Sequence, residues 1–213
     1  MNQETIKKYN LDLYDKTEIS GKYDIPKIYS VEYMPDDLLG FNYVTNTTDK
    51  SIGIHFFLDD YQIERVWNRP EFYINKLKGF DCVLTPDFSL YSDMPKSMMI
   101  WNTYRSRLIG QLMQKAGIIV IPTVSWADET TFDFCFDGLP QESTLAISTI
   151  GVRRKQSDYE LWQSGVDEMI ERCKPRRLMI YGDEVDYQFP ENIVVRYYEN
   201  KNISRLKRIS NGR

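Results

Sequence analysis

The segment from Cys82 to Gly151 constrains the fold more than any other part of the chain. Its hydrophobic pattern predicts a strand, a polar turn, a long helix, a second strand, another polar turn, a short helix and a third strand. Strands that alternate with helices in this way favour a mostly parallel sheet with right-handed crossovers. Ligands of open α/β folds bind at the carboxyl edge of the sheet, so we expect the polar turns after the strands to form a candidate site.

The remainder of the chain continues this alternation. Several short apolar segments predict core strands, because the strands of a parallel sheet are buried on both faces. These segments are Ile52–Phe57, Cys82–Thr85, Ile118–Ile121, Leu145–Thr149 and Leu178–Tyr181, with Ile193–Tyr197 as a sixth strand. We therefore expect an α/β fold, a single domain with a mostly parallel sheet of about six strands flanked by helices. The sheet is either open and doubly wound or an incomplete barrel.

Composition suggests three parts within the 213 residues. Residues 1–50 are polar and predict an irregular N-terminal arm with a candidate edge strand at Lys27–Tyr33. Residues 51–200 carry the α/β domain, and residues 201–213 form a basic tail that we expect to be flexible. Hydrophobic residues make up 42% of the chain, which is enough to build a packed core.

Charge and cysteine content limit the classes of partner. The chain has 27 basic and 31 acidic side chains, and its net charge of −4 does not support nucleic-acid binding. The three cysteines, Cys82, Cys135 and Cys173, cannot all pair internally and lack the spacing of a metal site. No signal peptide or long apolar segment is visible, so the sequence predicts a cytoplasmic protein that does not bind a membrane.

Arg105 is unusual because it lies in the apolar stripe of the predicted long helix, close to Trp101 and Leu108. A buried guanidinium is very costly unless it is paired. We expect it to contact the carboxylate of Asp59, Asp87 or Asp128, above all that of Asp87. Such a contact is either a structural ion pair or part of a functional site.

The turns after the predicted strands supply the other candidate site residues. The candidate catalytic residues are Asp87, Arg105, Ser125 and Asp128, and the candidate ligand-binding residues are Trp126, Ser148, Thr149 and Arg153. Arg153 belongs to a basic segment, residues 151–155, that could hold a phosphate at the start of a helix. Against this, Ser157 and Glu160 form a capping-box pattern that would occupy the same backbone N–H groups.

Neither a metal nor a cofactor is indicated. Asp59, Asp60, Asp87 and Asp128 could supply carboxylate oxygens to a divalent cation, but Asp59 and Asp128 stand where a helix needs a cap. We therefore expect no metal site. The chain contains neither a Walker A pattern nor a G-x-G-x-x-G pattern, so its cofactor, if it has one, is unknown.

A string of motifs resembles the uncharacterised "domain of unknown function 4417" family, which occurs in bacteria, phages and other mobile elements. The motifs are Thr85–Ser89, Ile100–Arg105, Ile121–Pro122, Ser125–Asp128, Phe132–Gly138 and Ala146–Gly151. The resemblance extends from about Ile52 to Gly182 and implies a common fold and a phage or mobile-element origin. It supplies no activity, substrate or cofactor.

Two functional hypotheses follow. In the first, the protein is a small α/β enzyme or ligand-binding protein that uses a polar site at the carboxyl edge of its sheet. In the alternative, it is a non-catalytic factor that acts by binding a host or phage protein.

Overall fold

The computed structural model describes residues 2–200 of the chain. In these residues the helices are α1 (Gln3–Lys8), α2 (Asp60–Asn68), α3 (Pro70–Leu77), α4 (Lys96–Lys115) and α5 (Gln156–Cys173). The strands are β1 (Ile19–Ser20), β2 (Ile25–Pro26), β3 (Leu38–Gly40), β4 (Gly53–His55), β5 (Val83–Leu84), β6 (Val120–Ile121), β7 (Thr144–Ser148), β8 (Arg177–Tyr181) and β9 (Val194–Tyr198). Short 3₁₀ helices occur at Phe41–Tyr43 and Glu129–Thr131.

The seven strands from β3 to β9 form two parallel sheets. Strands β3, β4, β5 and β6 make a four-stranded sheet in that order, and β7, β8 and β9 make a three-stranded one. A parallel bridge between Thr123 and Ala146 joins the two sheets. It includes hydrogen bonds from the Val124 N–H to the Ala146 carbonyl and from the Ala146 N–H to the Pro122 carbonyl, at 2.8 and 2.9 Å. The expected α/β fold with a mostly parallel sheet is thus confirmed.

The helices cover one face of the sheets. One hydrophobic cluster packs α2, α3 and α4 against the four-stranded sheet, and a second packs α5 against the three-stranded sheet. A third cluster, on the opposite face, contains no helical residue and draws on both sheets; its buried members are Leu38, Phe57, Cys82, Leu84, Ile121, Ala146, Met179, Tyr181 and Tyr198. Strand order follows the sequence, and within residues 2–200 β9 does not pair with β3. This arrangement corresponds to the incomplete barrel.

The ends of the two longest helices follow from local sequence. Helix α4 begins directly after Pro95 and is followed by Gly117, whose φ of +83° lies in the left-handed region that glycine adopts easily. Helix α5 ends at Cys173, where Lys174 takes a φ of +47° and Pro175 cannot continue the helix.

The N-terminal residues contribute more regular structure than their composition suggests. The edge strand of the four-stranded sheet is β3. The predicted edge strand at Lys27–Tyr33 is not formed, although this segment makes backbone hydrogen bonds with Gly138 and Thr144. A short hairpin of β1 and β2 precedes it. The predicted basic tail, residues 201–213, lies outside the described residues. Among the helices that are described, none has the length and apolar composition needed to cross a membrane.

Candidate functional site

A pocket of about 360 Å³ lies at the carboxyl edge of the sheets, between the ends of β5, β6 and β7 and the first two turns of α5. Its polar lining residues are Asp87, Ser92, Ser125, Ser148, Arg154 and Asp158, and its aromatic ones are Phe57, Tyr91, Trp126 and Trp162. The structure thus brings four of the eight predicted site residues together, namely Asp87, Ser125, Trp126 and Ser148. Their functional roles stay a prediction.

Asp87 is one of the ionisable groups that line this pocket. It follows β5 in the segment Thr85–Pro86–Asp87, and it is partly exposed through the pocket opening. Burial by the surrounding protein raises the pKa of its carboxyl group to about 7, and the negative charge of Asp60 acts in the same direction. A hydrogen bond with Ser125 and the charge of Arg107 partly oppose this shift. Asp87 therefore carries a carboxyl group that can gain or lose a proton near neutral pH.

Asp60 holds the segment that carries Asp87 in place. Its Oδ1 accepts hydrogen bonds from the backbone N–H and the hydroxyl of Ser89, at 3.0 and 2.8 Å. The Asn102 side chain donates to the Ser89 carbonyl at 2.7 Å, so α2 and α4 both anchor this turn. The fixed turn keeps the negative charge of Asp60 close enough to Asp87 to raise the pKa of the Asp87 carboxyl group.

Two tryptophans are among the lining residues of the pocket: Trp126 is half-buried, and Trp162 is 5% exposed. The Trp126 indole N–H donates to the Leu161 carbonyl at 3.3 Å, and the Trp162 indole N–H donates to the Ser148 carbonyl at 3.0 Å. Both N–H groups are therefore already satisfied, so these side chains can offer the pocket only ring atoms, and Trp162 offers little of its ring. Trp162 was not among the predicted site residues, because its position on the apolar face of α5 is typical of a core residue.

The rim of the pocket is formed by the turn before α5. Arg154 lines the pocket, whereas the predicted Arg153 is exposed and lies near the Tyr197 phenol. The expected capping box is absent. Helix α5 has Lys155 at its N-cap position without a side-chain hydrogen bond, and Glu160 instead accepts a hydrogen bond from Gln156.

Arg105 does not contact Asp87, and that expectation is wrong. Its guanidinium is buried, forms a salt bridge with Glu64 of α2 and donates to the Asn102 side chain at 2.6 Å. The guanidinium carbon lies 3.8 Å from the centre of the Phe88 ring, within cation–π distance. Spacing along α4 correctly indicated a buried, paired arginine, but the choice of partner depends on how α2 packs against α4. Arg105 does not line the pocket.

Arg107 is a second buried arginine, which the sequence reasoning missed. It donates to the carbonyls of Thr123, Cys135 and Asp137, at 3.0, 2.9 and 3.3 Å, and burial lowers its pKa to about 10. These bonds tie α4 to the segment after β6 and to the loop before β7. A signal was available, since two arginines separated by one residue cannot share one face of a helix and both lie in an apolar segment.

Two other predicted site residues have structural partners instead of pocket contacts. Asp128 caps the 3₁₀ helix at Glu129–Thr131, where its Oδ1 accepts from the Thr130 N–H at 2.9 Å. The Thr149 hydroxyl donates to the Asp183 carbonyl at 2.7 Å and is buried. Within residues 2–200, no three His, Cys, Asp or Glu side chains are grouped so that they could hold a metal ion.

Comparison with known proteins gives two phage relatives. The chain is 43% identical over 175 residues to the "Gene 1 protein" of Mycobacterium phage L5, an alignment that covers 81% of this chain and 76% of the phage protein. It is 39% identical over 191 residues to the "Gene 1 protein" of Mycobacterium phage D29, covering 88% and 67% of the two chains. No solved structure is significantly similar to it.

The family described as "Domain of unknown function (DUF4417)" matches residues 17–199, which is most of the chain. This match confirms the resemblance seen in the motifs between Thr85 and Gly151, and it extends the likeness to the N-terminal strands and to β9. The family description and the names of the phage relatives state no activity. The chain belongs to the DUF4417 family.

Proposed function

We propose that the protein is an enzyme that acts on a small polar molecule, with Asp87 as its general acid and base. The observation that supports this most is the position of Asp87. A carboxyl group with a pKa of about 7 lies in a pocket at the carboxyl edge of parallel strands, where α/β enzymes place their reacting groups. A proton-transfer group works best when its pKa lies near the pH at which it operates.

The neighbours of Asp87 suit this role. The Ser125 hydroxyl hydrogen-bonds with the Asp87 carboxyl group, which stabilises the ionised form that accepts a proton. Burial and the negative charge of Asp60 have the opposite effect, because they stabilise the protonated form, which can donate the proton back. Asp87 can therefore take a proton from a bound molecule and give it back within one reaction cycle.

The test is a search for turnover that depends on Asp87. Purified protein is incubated with a bacterial small-molecule extract, and compounds that are consumed or formed are identified by mass spectrometry. We expect Asp87→Asn to slow the conversion by about 10²- to 10⁴-fold, the usual contribution of a general acid–base group. The exposed Asp93→Asn serves as a matched control and should leave the rate unchanged.

Conversion that is equally fast in the Asp87→Asn variant would contradict the proposal. A complete lack of conversion, together with a stable complex with a host or phage protein, would favour the alternative of a non-catalytic interaction factor.

A cytoplasmic location is also part of this proposal. It is supported by the three cysteines, which are buried and unpaired, as expected for a protein that stays in a reducing compartment. Detection of the protein in a cell-free culture supernatant before lysis would argue against it.

A further inference from the structure

The apolar part of the pocket favours a planar ligand. The half-buried Trp126 contributes ring surface without a free N–H group, and the largely buried Trp162 lines the pocket beside it. Tyr91 adds a third ring near the opening, where it is 59% exposed. Large aromatic walls bind flat rings well because stacking and edge contacts add to the burial of apolar surface. A volume of about 360 Å³ is at the lower end of small-molecule sites and suits a compound the size of a mononucleotide.

The polar end of the pocket favours a nitrogen heterocycle. Asp87 and Ser125 follow adjacent strands and line the same side of the pocket. Together a carboxyl group and a hydroxyl can both donate and accept hydrogen bonds. That is the pattern needed to pair with the edge of a ring that carries an N–H or amino group beside a ring nitrogen. Asp87 and Ser125 already share one hydrogen bond, but a purely apolar ring would leave their remaining donor and acceptor positions unfilled, at a cost in binding free energy.

The rim of the pocket favours an anionic group on that ligand. Arg154 lines the opening, and Arg153 and Lys155 flank it, so the turn carries three consecutive positive charges. Within residues 2–200 none of the three forms a salt bridge, although Asp158 lies on the same rim. A guanidinium that has no carboxylate partner is well suited to bind a phosphate group.

From these features we infer that the pocket binds a free nucleoside monophosphate. The base packs against the wall of Trp126 and Trp162, its hydrogen-bonding edge faces Asp87, and its phosphate contacts Arg154. This inference rests on the proposed function, because it names the class of substrate on which Asp87 acts.

Isothermal titration calorimetry on the 213-residue chain tests this inference. The ligands are the four common ribonucleoside monophosphates, the matching nucleosides, ribose phosphate, inorganic phosphate and a short single-stranded oligonucleotide with a terminal phosphate. We expect at least one monophosphate to bind about 10-fold or more tightly than its nucleoside, as a charge-assisted contact predicts. Arg154→Gln should remove this difference and leave nucleoside binding unchanged.

Arg153→Gln is the matched control, because it removes the same charge from the neighbouring exposed residue outside the pocket. It should retain most of the preference for the monophosphate. Equal losses in the two variants would overturn the inference, since they would reflect the general charge of the turn. Binding of inorganic phosphate or ribose phosphate as tight as that of the monophosphate would also overturn it, because the base would then contribute nothing.

Two further outcomes are decisive. If the oligonucleotide binds as tightly as the monophosphate, the ligand is the end of a nucleic-acid strand and the assignment of a free nucleotide is wrong. If no nucleotide binds, the substrate class is wrong. The general role of Asp87 is measured separately, by Asp87-dependent conversion in a complete extract, so failure of the nucleotide inference does not imply failure of the proposed function.

Discussion

Asp87 combines two properties that oppose each other in a folded protein. A carboxyl group that is partly protonated near neutral pH is useful in a reaction. Its burial, however, destabilises the folded protein at any pH where the group would ionise in water. In the folded protein its pKa is raised to about 7, whereas in the unfolded chain it is about 3.9. Functional sites commonly carry such a penalty, and its size is measurable.

The penalty predicts how stability depends on pH. Below pH of about 4 Asp87 is protonated in both states, so it has no effect. As the pH rises from about 4 to about 7 the unfolded chain ionises first, and the free energy of unfolding falls; above about 7 the loss is constant. We expect Asp87→Asn to remove this loss and to stabilise the protein at pH 8 by on the order of 3 kcal/mol.

Urea denaturation of wild type and Asp87→Asn at several pH values between 4 and 8 measures the effect, with Asp93→Asn as the control at the surface. A difference between wild type and Asp87→Asn that stays the same at every pH would show that Asp87 does not titrate in this range.

Arg105 differs from Asp87 because its buried charge is paired and contributes to the stability of the fold. Its guanidinium contacts Phe88, Glu64 and Asn102, so truncation removes ring packing as well as the ion pair. We expect Arg105→Ala to lower the free energy of unfolding by on the order of 3 kcal/mol. Glu64→Gln should cost less than about 1 kcal/mol, because the Glu64 side chain is 39% exposed and water screens the pair.

Chemical denaturation of the two single variants and of Arg105→Lys tests this asymmetry. Arg105→Lys should recover only part of the loss, because an ammonium group cannot reproduce the flat contact with Phe88. Equal losses in Glu64→Gln and Arg105→Ala would mean that the ion pair, and not the packing, dominates.

At the scale of elements, α5 approaches the Trp126 turn so closely that only glycine fits between them. A Cβ atom on Gly165 would lie 2.1 Å from Cε2 of the Trp126 ring. In an exposed helix, alanine in place of glycine is favourable by about 1 kcal/mol. Here the indole or the helix would have to move, so we expect Gly165→Ala to destabilise the protein by about 1–3 kcal/mol.

The same substitution should disturb the pocket, since Trp126 forms part of its wall. Thermal denaturation measures the stability change, and the fluorescence of the tryptophans reports the altered wall. Ser164→Ala provides the comparison, because it makes a helix-favouring change one residue away. An increase in melting temperature for Gly165→Ala would show that the turn yields easily and that the close approach has no structural importance.

At the scale of the whole molecule, the two sheets share one internal cluster. Leu38, Leu84 and Ile121 of the four-stranded sheet pack with Ala146 and Met179 of the three-stranded sheet. Neither sheet can bury these side chains without the other. We therefore expect the chain to unfold in a single cooperative transition, although residues 2–200 contain two separate clusters on the helical face.

Urea unfolding followed by far-UV circular dichroism and by tryptophan fluorescence tests this expectation. Tryptophans occur in both halves, with Trp67 and Trp101 packing in the first helical cluster and Trp126 and Trp162 in the second. The two signals should give the same midpoint in the wild type and in Trp67→Phe. Separate midpoints would indicate that the two halves unfold independently and that the shared cluster is weak.

The elements that depend on local hydrophobic pattern could be predicted from the sequence. Apolar segments such as those around Ile54, Ile147 and Ile180 became buried parallel strands, and the stripe of α4 became a helix that packs on the sheet. The turns after the strands could also be located, because parallel strands place all their carboxyl ends at one edge. For this reason Asp87, Ser125, Trp126 and Ser148 could be selected before their separation in space was known.

Which side chains contact each other could not be predicted in the same way, because it depends on how distant segments pack. Arg105 pairs with Glu64 because α2 lies against α4, and the turn before α5 presents Arg154 to the pocket while leaving Arg153 outside it. The sequence also could not predict that the helices cover only one face of the sheet, because alternating strands and helices are compatible with both a doubly wound sheet and an incomplete barrel. These outcomes depend on contacts between residues far apart in the chain, and local hydrophobic pattern contains no information about which distant segments will touch.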